Sequence, residues 1–231
     1  MSGIEDAGSG PALRWPMWTQ QSWVYAEALR SLAELNEQCL ELLCEQALLA
    51  GPPPAPALFV ELRALWCALD AHALRRAALC PYLLLDAGFT RAARWGAARE
   101  RLVQDRERMP PVRAFFSAPR TIPVTRLVFT LGWHLARSDA AAARLLLGMS
   151  GQCAQLIAAC TLRHIIQLAE SESHWLEPRW PDRVTVWREL LSAALASDPA
   201  VLERARLRGL QLLAAQARAA ESDPSSDRER Q

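Results

Sequence analysis

Residues 139–170 read DAAAARLLLGMSGQCAQLIAACTLRHIIQLAE, and this stretch decides the fold class. Three residues that favour helix N-termini, Asp139, Ser150 and Thr161, each precede a run rich in Ala, Leu and Ile. Gly148 separates the first two runs, at the kind of position where glycine commonly ends a helix. The pattern therefore predicts three short α-helices in succession. They are expected over 139–147, 150–159 and 161–170.

The part of the chain before this stretch predicts longer helices. From Ser22 an apolar stripe recurs at three- and four-residue steps, with glutamates mostly on the other side. The sequence Gly-Pro-Pro-Pro-Ala-Pro at 51–56 must end that helix. This segment is interpreted as a stiff connector in preference to a ligand for a Src-homology-type domain. A second helix is predicted over 57–79 and a strongly basic third one over 90–109. Between them, 82–85 is apolar but too short to classify.

Prolines after the third helix mark the best domain boundary in the chain. We find no run of alternating apolar and polar residues long enough to predict a sheet, and nothing repeats at a fixed period. The predicted fold class is all-α, a multi-helix bundle whose smaller C-terminal module contains a helix-turn-helix-like hairpin. The predicted organisation is a flexible tail (1–21), an N-terminal helical domain (22–109), a Pro-rich linker (110–123), a C-terminal helical domain (124–219) and a disordered tail (220–231).

Length and composition are those of an ordinary globular protein. The chain has 231 residues, of which 51% are hydrophobic and 22% charged, so it can bury a core as one large or two small domains. The acidic start lacks the basic and apolar regions of a secretory signal, and no apolar run is long enough for a membrane helix. The expected location is the cytoplasm.

Charge is balanced overall but unevenly distributed. The net charge is +1, which gives no global argument for nucleic acid. Residues 23–70 contain two arginines against seven acidic residues, whereas 91–126 contain nine arginines against three. The two regions either attract each other within the fold or serve separate partners. The chain has no lysine, so all of its basic side chains are arginine. This indicates either codon bias or phosphate recognition, because arginine can bind a phosphate through two parallel hydrogen bonds.

Motifs of catalysis and metal binding are weak or missing in the sequence. The six cysteines form no C-x-x-C pair and are predicted to be buried thiols in preference to zinc ligands. The four histidines are scattered, and Gly148-Met149-Ser150 lacks the strand and the second glycine of a nucleophile elbow. No glycine-rich phosphate loop is present. We therefore predict no catalytic, cofactor-binding or metal residues, no small-molecule substrate, and a protein that is not an enzyme.

A row of arginines on the third predicted helix is the first candidate for binding. Arg94, Arg101 and Arg108 are spaced seven apart, with Arg91 one turn earlier, so they share a face that could follow nucleic-acid phosphates. The alternative is a structural role. In that case the arginines pair with acidic residues of the same helix or dock on the acidic first helix.

The hairpin around Gly148 is the second candidate. Two helices joined at a glycine fit the spacing of a DNA-binding helix-turn-helix. The second helix, however, carries no basic residue and only glutamines that could contact bases. A plain packed hairpin and a DNA reader both remain open.

A set of positions between 125 and 182 follows the pattern of a known family. The matching positions are Asp139, Ala140, Ala142, Leu147-Gly148-Met149-Ser150, Ala154, Ala158-Ala159, Thr161-Leu162, Ile165-Ile166, Leu168-Ala169-Glu170, Arg179-Trp180 and Asp182. The spacing from Asp139 to Glu170 holds without gaps, and the later arginine–aromatic–aspartate segment also corresponds. On these positions, residues 125–182 resemble the D subunit of the bacterial flagellar master transcription regulator.

The resemblance implies an all-helical, dimer-forming module within a hetero-oligomeric transcription activator. In that family the partner C subunit carries a cysteine zinc site and makes much of the DNA contact. This chain has no such cysteine cluster, and its residues 1–124 have no counterpart in the D family. We therefore expect a regulatory protein that binds a protein partner, forms a homo-oligomer, and contacts DNA weakly or indirectly. The alternative is a helical adaptor or chaperone-like protein that binds no DNA. The expected interaction module comprises Leu147, Gly148, Met149, Ser150, Thr161 and Leu162.

Overall fold

The computed structural model describes residues 17–49, 56–104, 114–117 and 119–222, and the described part is almost entirely helical. This confirms the all-α prediction. The helices are α1 Met17–Leu49, α2 Ala57–Glu61, α3 Arg63–Ala68, α4 Ala71–Ala78, α5 Ala92–Val103, α6 Thr121–Ser138, α7 Ala140–Leu147, α8 Gly151–Ala158, α9 Leu162–Ser171, α10 Val184–Ala196 and α11 Pro199–Ser222.

The first helix is held by the apolar stripe that the sequence shows. Leu32, Leu35, Cys39 and Leu43 are all buried, which places the stripe in the core and leaves Glu34 exposed. The helix begins at Met17, earlier than the predicted Ser22, so part of the predicted tail is helical.

The second predicted helix is three short helices. Leu62 leaves helical geometry with φ −104° and ψ 13°, and Leu69 is extended with ψ 112°. Asp70 then starts a new helix, because its carboxylate accepts a hydrogen bond from the Ala73 N–H at 2.7 Å. The prediction of one helix over 57–79 is therefore wrong. At the second of the two breaks, a capping aspartate inside an otherwise continuous apolar pattern starts a new helix.

The three helix starts predicted from the deciding stretch are confirmed. The Asp139 carboxylate accepts from the Ala142 N–H at 2.9 Å, and the Ser150 hydroxyl accepts from the Cys153 N–H at 3.2 Å. The Thr161 hydroxyl accepts from the His164 N–H, also at 3.2 Å. Each cap satisfies one of the backbone donors that a helix leaves unpaired at its N-terminus.

A two-stranded antiparallel ribbon is the feature that the sequence did not predict. Strand β1, Leu85–Asp86, pairs with β2, Glu177–Pro178, so that Leu85 lies opposite Pro178 and Asp86 opposite Glu177. The unclassified apolar segment leads into β1, and its residues from Tyr82 to Leu85 are buried. A two-residue strand has too few positions to produce an alternating pattern. The loop before α10 contains β2 and a single 3-10 turn, Ser173–Trp175.

Two other predicted boundaries differ from the structure. Helix α6 begins at Thr121, inside the predicted Pro-rich linker (110–123), since Pro123 is tolerated in the first turn, where no helical acceptor is needed for its nitrogen. The third predicted helix is described from Ala92 to Val103; its predicted end at Met109 lies outside the described residues. Among the cysteines, Cys67 is exposed and Cys44 half-buried, whereas the other four are buried as predicted.

One continuous apolar core joins elements from both sides of the predicted linker. Helix α1 packs against α4 and α6, α5 packs against α8 and α9, and α10 packs against α2, α3 and α4. Buried residues from all of these helices belong to one cluster. The division into domains at 22–109 and 124–219 stays a prediction.

Candidate functional site

The α7–α8 hairpin turns at a glycine for a steric reason. Gly148 has φ +63°, the left-handed region that side chains with a Cβ rarely adopt. A Cβ added there would lie 2.5 Å from Cδ1 of Leu213 on α11 and 3.3 Å from Nη1 of Arg179. The glycine is thus required both by the backbone conformation and by the close approach of α11.

The predicted interaction module divides into an interior part and a surface part. Leu147, Gly148, Met149 and Ser150 are buried, so these residues build the hairpin inside this chain. Thr161 and Leu162 are exposed, and Leu162 keeps 45% of its surface accessible at the start of α9. Only the surface part could contact a partner without unfolding of the hairpin.

A buried arginine, missed by sequence reasoning, fixes the hairpin to the ribbon. Arg179 donates from Nε to the Leu83 carbonyl at 2.5 Å and from Nη2 to the Leu147 carbonyl. Its backbone N–H donates to the Leu84 carbonyl at 3.0 Å. Burial lowers the pKa of the guanidinium, and the charge of Asp86 partly offsets that effect. Arginine followed by Trp180 gave a family signal in the sequence but no sign of burial.

The arginine row on α5 lies against the loop before α10. Arg91 Nη2 is 3.4 Å from Glu177 Oε1, and Arg101 Nη2 is 3.2 Å from Glu172 Oε1. Glu172 is buried, so the second pair is partly shielded from solvent. Arg108 lies outside the described residues. Two arginines of the row that could have followed phosphates therefore have partners within this chain. These partners lie on the loop before α10, whereas the predicted structural role had placed them on the same helix or on the first helix.

Arg94, the third described member of the row, lies over an aromatic ring. Its guanidinium carbon is 4.3 Å from the centroid of the Trp175 ring, within the range of a cation–π contact. Burial and the neighbouring Arg91 lower the pKa of Arg94 to about 10. Trp175 in turn packs edge-on against Trp95, with ring centroids 5.3 Å apart. Arg94 thus extends the aromatic core instead of projecting into solvent.

The acidic first helix also has a partner in the basic region. Arg120 Nη1 lies 3.0 Å from Glu45 Oε1, and Nη2 lies 2.5 Å from Glu41 Oε2. These two carboxylates raise the pKa of Arg120. The expectation that the acidic and basic regions attract each other within the fold holds at this contact.

A polar cleft of about 310 Å³ opens beside the ribbon. Asp86, Glu177, Trp180 and Gln216 are among its lining residues, and the Trp180 indole Nε1 donates to the Gln216 Oε1 at 2.8 Å. Burial and the like charge of Asp86 raise the pKa of Glu177 although Arg91 opposes the effect. The described residues contain no group of three or more His, Cys, Asp or Glu side chains arranged to hold a metal ion.

The α7–α8 hairpin, its caps and the helices that follow lie in a segment that matches a known family model. Residues 129–220 match the family model of the flagellar transcriptional activator (FlhD). This segment is FlhD-like. The match covers less than half of the chain but extends beyond the resemblance over 125–182, because it also includes α10 and most of α11. No curated protein and no solved structure matches the chain.

The FlhD-like segment, residues 129–220, is joined to the N-terminal region of this protein by hydrogen bonds. Asn36 of α1 is fully buried and donates from Nδ2 to the Tyr82 carbonyl at 2.9 Å. Its Oδ1 accepts from the Leu84 N–H, also at 2.9 Å. Leu83 N–H then donates to the Leu146 carbonyl of the FlhD-like segment at 2.9 Å. Sequence reasoning missed Asn36 because a single asparagine in a long helix ordinarily lies at the surface.

Within the described part of the chain, no helix is both long and apolar enough to span a membrane. The matched family consists of transcriptional activators and is not an enzyme family. Whether the α7–α8 hairpin reads DNA as a helix-turn-helix stays a prediction.

Proposed function

We propose that this protein is a cytoplasmic transcription regulator of the flagellar-regulator type that acts through dimerisation and association with a protein partner. The match of residues 129–220 to the flagellar transcriptional activator carries the proposal. Regulators of this type act in complexes, so a protein partner and a homo-oligomer are expected. Thr161 and Leu162 are the predicted module residues that such a partner could contact.

One exposed leucine on each of the packed helices α6 and α9 supports an interface along this pair. Helices α6 and α9 run antiparallel: Arg126 Nη2 is 2.7 Å from Glu170 Oε1 near one end, and Trp133 Nε1 donates to the Cys160 carbonyl near the other. Leu127 on α6 and Leu162 on α9 are 49% and 45% exposed. The two leucines lie toward opposite ends of the pair, so an interface that contained both would run along the length of α6 and α9.

Self-association through these helices is tested by charge substitution. We expect the wild-type chain to be dimeric by light scattering, and Leu127→Arg with Leu162→Arg to shift it toward monomer by at least about tenfold in dissociation constant, because a buried unpaired charge opposes association. Leu207→Arg, at a similarly exposed position on α11, is the matched control. A monomeric wild-type chain would contradict the dimer.

The alternative function is a helical adaptor that binds proteins and no DNA. Internal pairing of Arg91 and Arg101 favours it, since the predicted nucleic-acid row is already partnered. An electrophoretic shift series against salt, with and without co-purified partner, separates the two functions. Salt-dependent binding in some combination supports the regulator. A defined protein complex that binds no duplex in any combination would establish the adaptor.

A further inference from the structure

Two cysteines on adjoining helices lie close together at the surface of the N-terminal region. Cys67 on α3 is exposed and Cys44 on α1 is half-buried, whereas the other four cysteines are buried. Helices α1 and α3 pack against each other, so the two thiols approach from different elements. Neither lies within residues 129–220, so the pair belongs to a part of the chain that the family model does not cover.

A contact between the side chain of Cys44 and the peptide group before Cys67 brings the pair together. The Cys44 thiol donates to the Trp66 carbonyl, with Sγ and the carbonyl oxygen 4.0 Å apart. Because the carbonyl carbon is bonded to the backbone nitrogen of Cys67, the sulfur of Cys44 lies beside the backbone of the second cysteine. A disulfide joins residues whose Cα atoms are about 4.4–6.8 Å apart. A sulfur in contact with the peptide group of the other cysteine is consistent with that separation.

The two thiols differ in protonation and in access to solvent. Burial, and then the negative charges of Cys67, Glu41 and Glu45, raise the pKa of Cys44 to about 11, so this thiol is protonated at neutral pH. The charge of Cys67 acts on Cys44 more strongly than either glutamate of the same helix does, which agrees with the contact. A small oxidant can reach the exposed sulfur of Cys67 from solvent. An accessible thiol beside a second cysteine is the usual arrangement for reversible oxidation.

We propose that Cys44 and Cys67 form a reversible intramolecular disulfide when the protein meets hydrogen peroxide. The inference goes beyond the proposed role in transcription and does not depend on it. In a reducing compartment, disulfides are mainly transient, and many of them sense redox conditions. The four buried cysteines take no part in the reaction.

The reaction has two steps and consumes one peroxide. The ionised sulfur of Cys67 attacks a peroxide oxygen, the O–O bond breaks, and the released hydroxide takes up a proton to become water. Cys67 is then a sulfenic acid. The sulfur of Cys44 attacks the sulfur of Cys67, the S–O bond breaks, and the hydroxyl group leaves with the Cys44 proton as a second water. The two thiols lose two electrons, and a reduced dithiol returns them by thiol–disulfide exchange.

The bond would form one residue away from a contact with the FlhD-like segment. Trp66 packs against Trp187 of α10, with ring centroids 5.7 Å apart, and its Nε1 donates to the Leu58 carbonyl at 3.1 Å. Oxidation removes the thiol proton that Cys44 donates to the Trp66 carbonyl and replaces this weak contact with a covalent link between α1 and α3. The modification thus lies beside the packing of α3 on α10.

Mass spectrometry of the full chain tests the proposal. The reduced, folded protein is treated with hydrogen peroxide, the remaining thiols are alkylated in denaturant, and the chain is cut after arginine. Cys44 then lies in peptide 31–63 and Cys67 in peptide 64–75. We expect the two peptides to be linked, with a mass two hydrogen atoms below the sum of the reduced peptides. Dithiothreitol added to the folded protein should separate them again.

Variants of single cysteines assign the two roles. Cys44→Ser should abolish the link and increase several-fold the sulfenic acid that a dimedone probe traps at Cys67, because the second step is blocked. Cys67→Ser should abolish the link as well. The matched control is Cys39→Ala, on the same helix and in the same arginine-bounded peptide as Cys44, and it should leave the link at the wild-type level.

Several results would overturn the proposal. Both thiols could remain open to alkylation after peroxide treatment, or peroxide could convert Cys67 to a sulfinic acid without a link. A link only between two chains, seen as a dimer on a non-reducing gel, would exclude the intramolecular bond. A link lost in Cys39→Ala but kept in Cys44→Ser would assign the bond to the wrong cysteine. None of these measurements involves DNA or a protein partner, so failure here is distinct from failure of the proposed function.

Discussion

At the scale of single residues, Asn36 joins the first helix to the segment that enters the ribbon. Its Nδ2 reaches the carbonyls of Ala78 and Cys80 at 3.2 Å each and of Tyr82 at 2.9 Å. Because all these groups are buried, removal of the amide leaves several without a partner. Buried unsatisfied polar groups cost about 1–3 kcal/mol each.

Asn36→Ala should therefore lower the free energy of unfolding by about 2–4 kcal/mol, measured by urea denaturation. Glu34→Ala, at an exposed position two residues earlier in α1, should change it by less than about 0.5 kcal/mol. Similar losses for both variants would contradict the role given to the amide.

Gly148 offers a second residue-scale prediction with a glycine control. Gly148→Ala should destabilise the fold by about 1–3 kcal/mol, because the left-handed backbone disfavours a Cβ and Leu213 occupies the space. Gly151→Ala should be neutral or stabilising by up to about 1 kcal/mol, since no atom lies within 4 Å of the added carbon. Thermal unfolding of the two variants gives the comparison; equal effects would contradict the geometry.

At the scale of elements, the ribbon places two negatively charged side chains opposite each other. Glu177 and Asp86 are cross-strand partners, an arrangement that destabilises a ladder. Burial and Asp86 raise the folded-state pKa of Glu177, so the folded chain binds this proton more tightly than the unfolded chain does. That contribution to stability is present in acid, below the unfolded-state pKa, and is lost as pH rises through the folded-state pKa.

Glu177→Gln should consequently stabilise the protein at neutral pH, and the gain should disappear when the pH falls below the pKa of an unperturbed glutamate. Urea unfolding curves at several pH values measure the difference. A variant less stable than wild type at neutral pH would mean that the Arg91 pair outweighs the repulsion.

Local signals explain which elements could be predicted. Asp139, Ser150 and Thr161 cap their helices by contacts within three residues, so sequence alone located those starts. The ribbon depends on strands more than ninety residues apart, and the partners of Arg91 and Arg101 lie on a distant loop. Pairings of that kind follow from tertiary packing and leave no periodic pattern in the sequence.

At the scale of the whole molecule, the FlhD-like segment and the N-terminal helices share one core. A core that crosses the linker should unfold cooperatively. We expect a single urea transition, coincident by tryptophan fluorescence and by circular dichroism. Two separated transitions would instead support independent domains at 22–109 and 124–219.

The family match suggested the function, and the internal partners of the α5 arginines argue against a phosphate-contacting role for that row. The seven-residue spacing of the α5 row is visible in the sequence, but that Glu172, Trp175 and Glu177 face the row could not be predicted.

Occupancy of chromosomal DNA by the epitope-tagged full chain in its native host is the most direct test of a regulatory role. Chromatin immunoprecipitation followed by sequencing should give discrete peaks at promoters. A DNA profile no different from that of an untagged strain, with the tagged chain still recovered in a defined protein complex, would contradict the regulator and leave the adaptor.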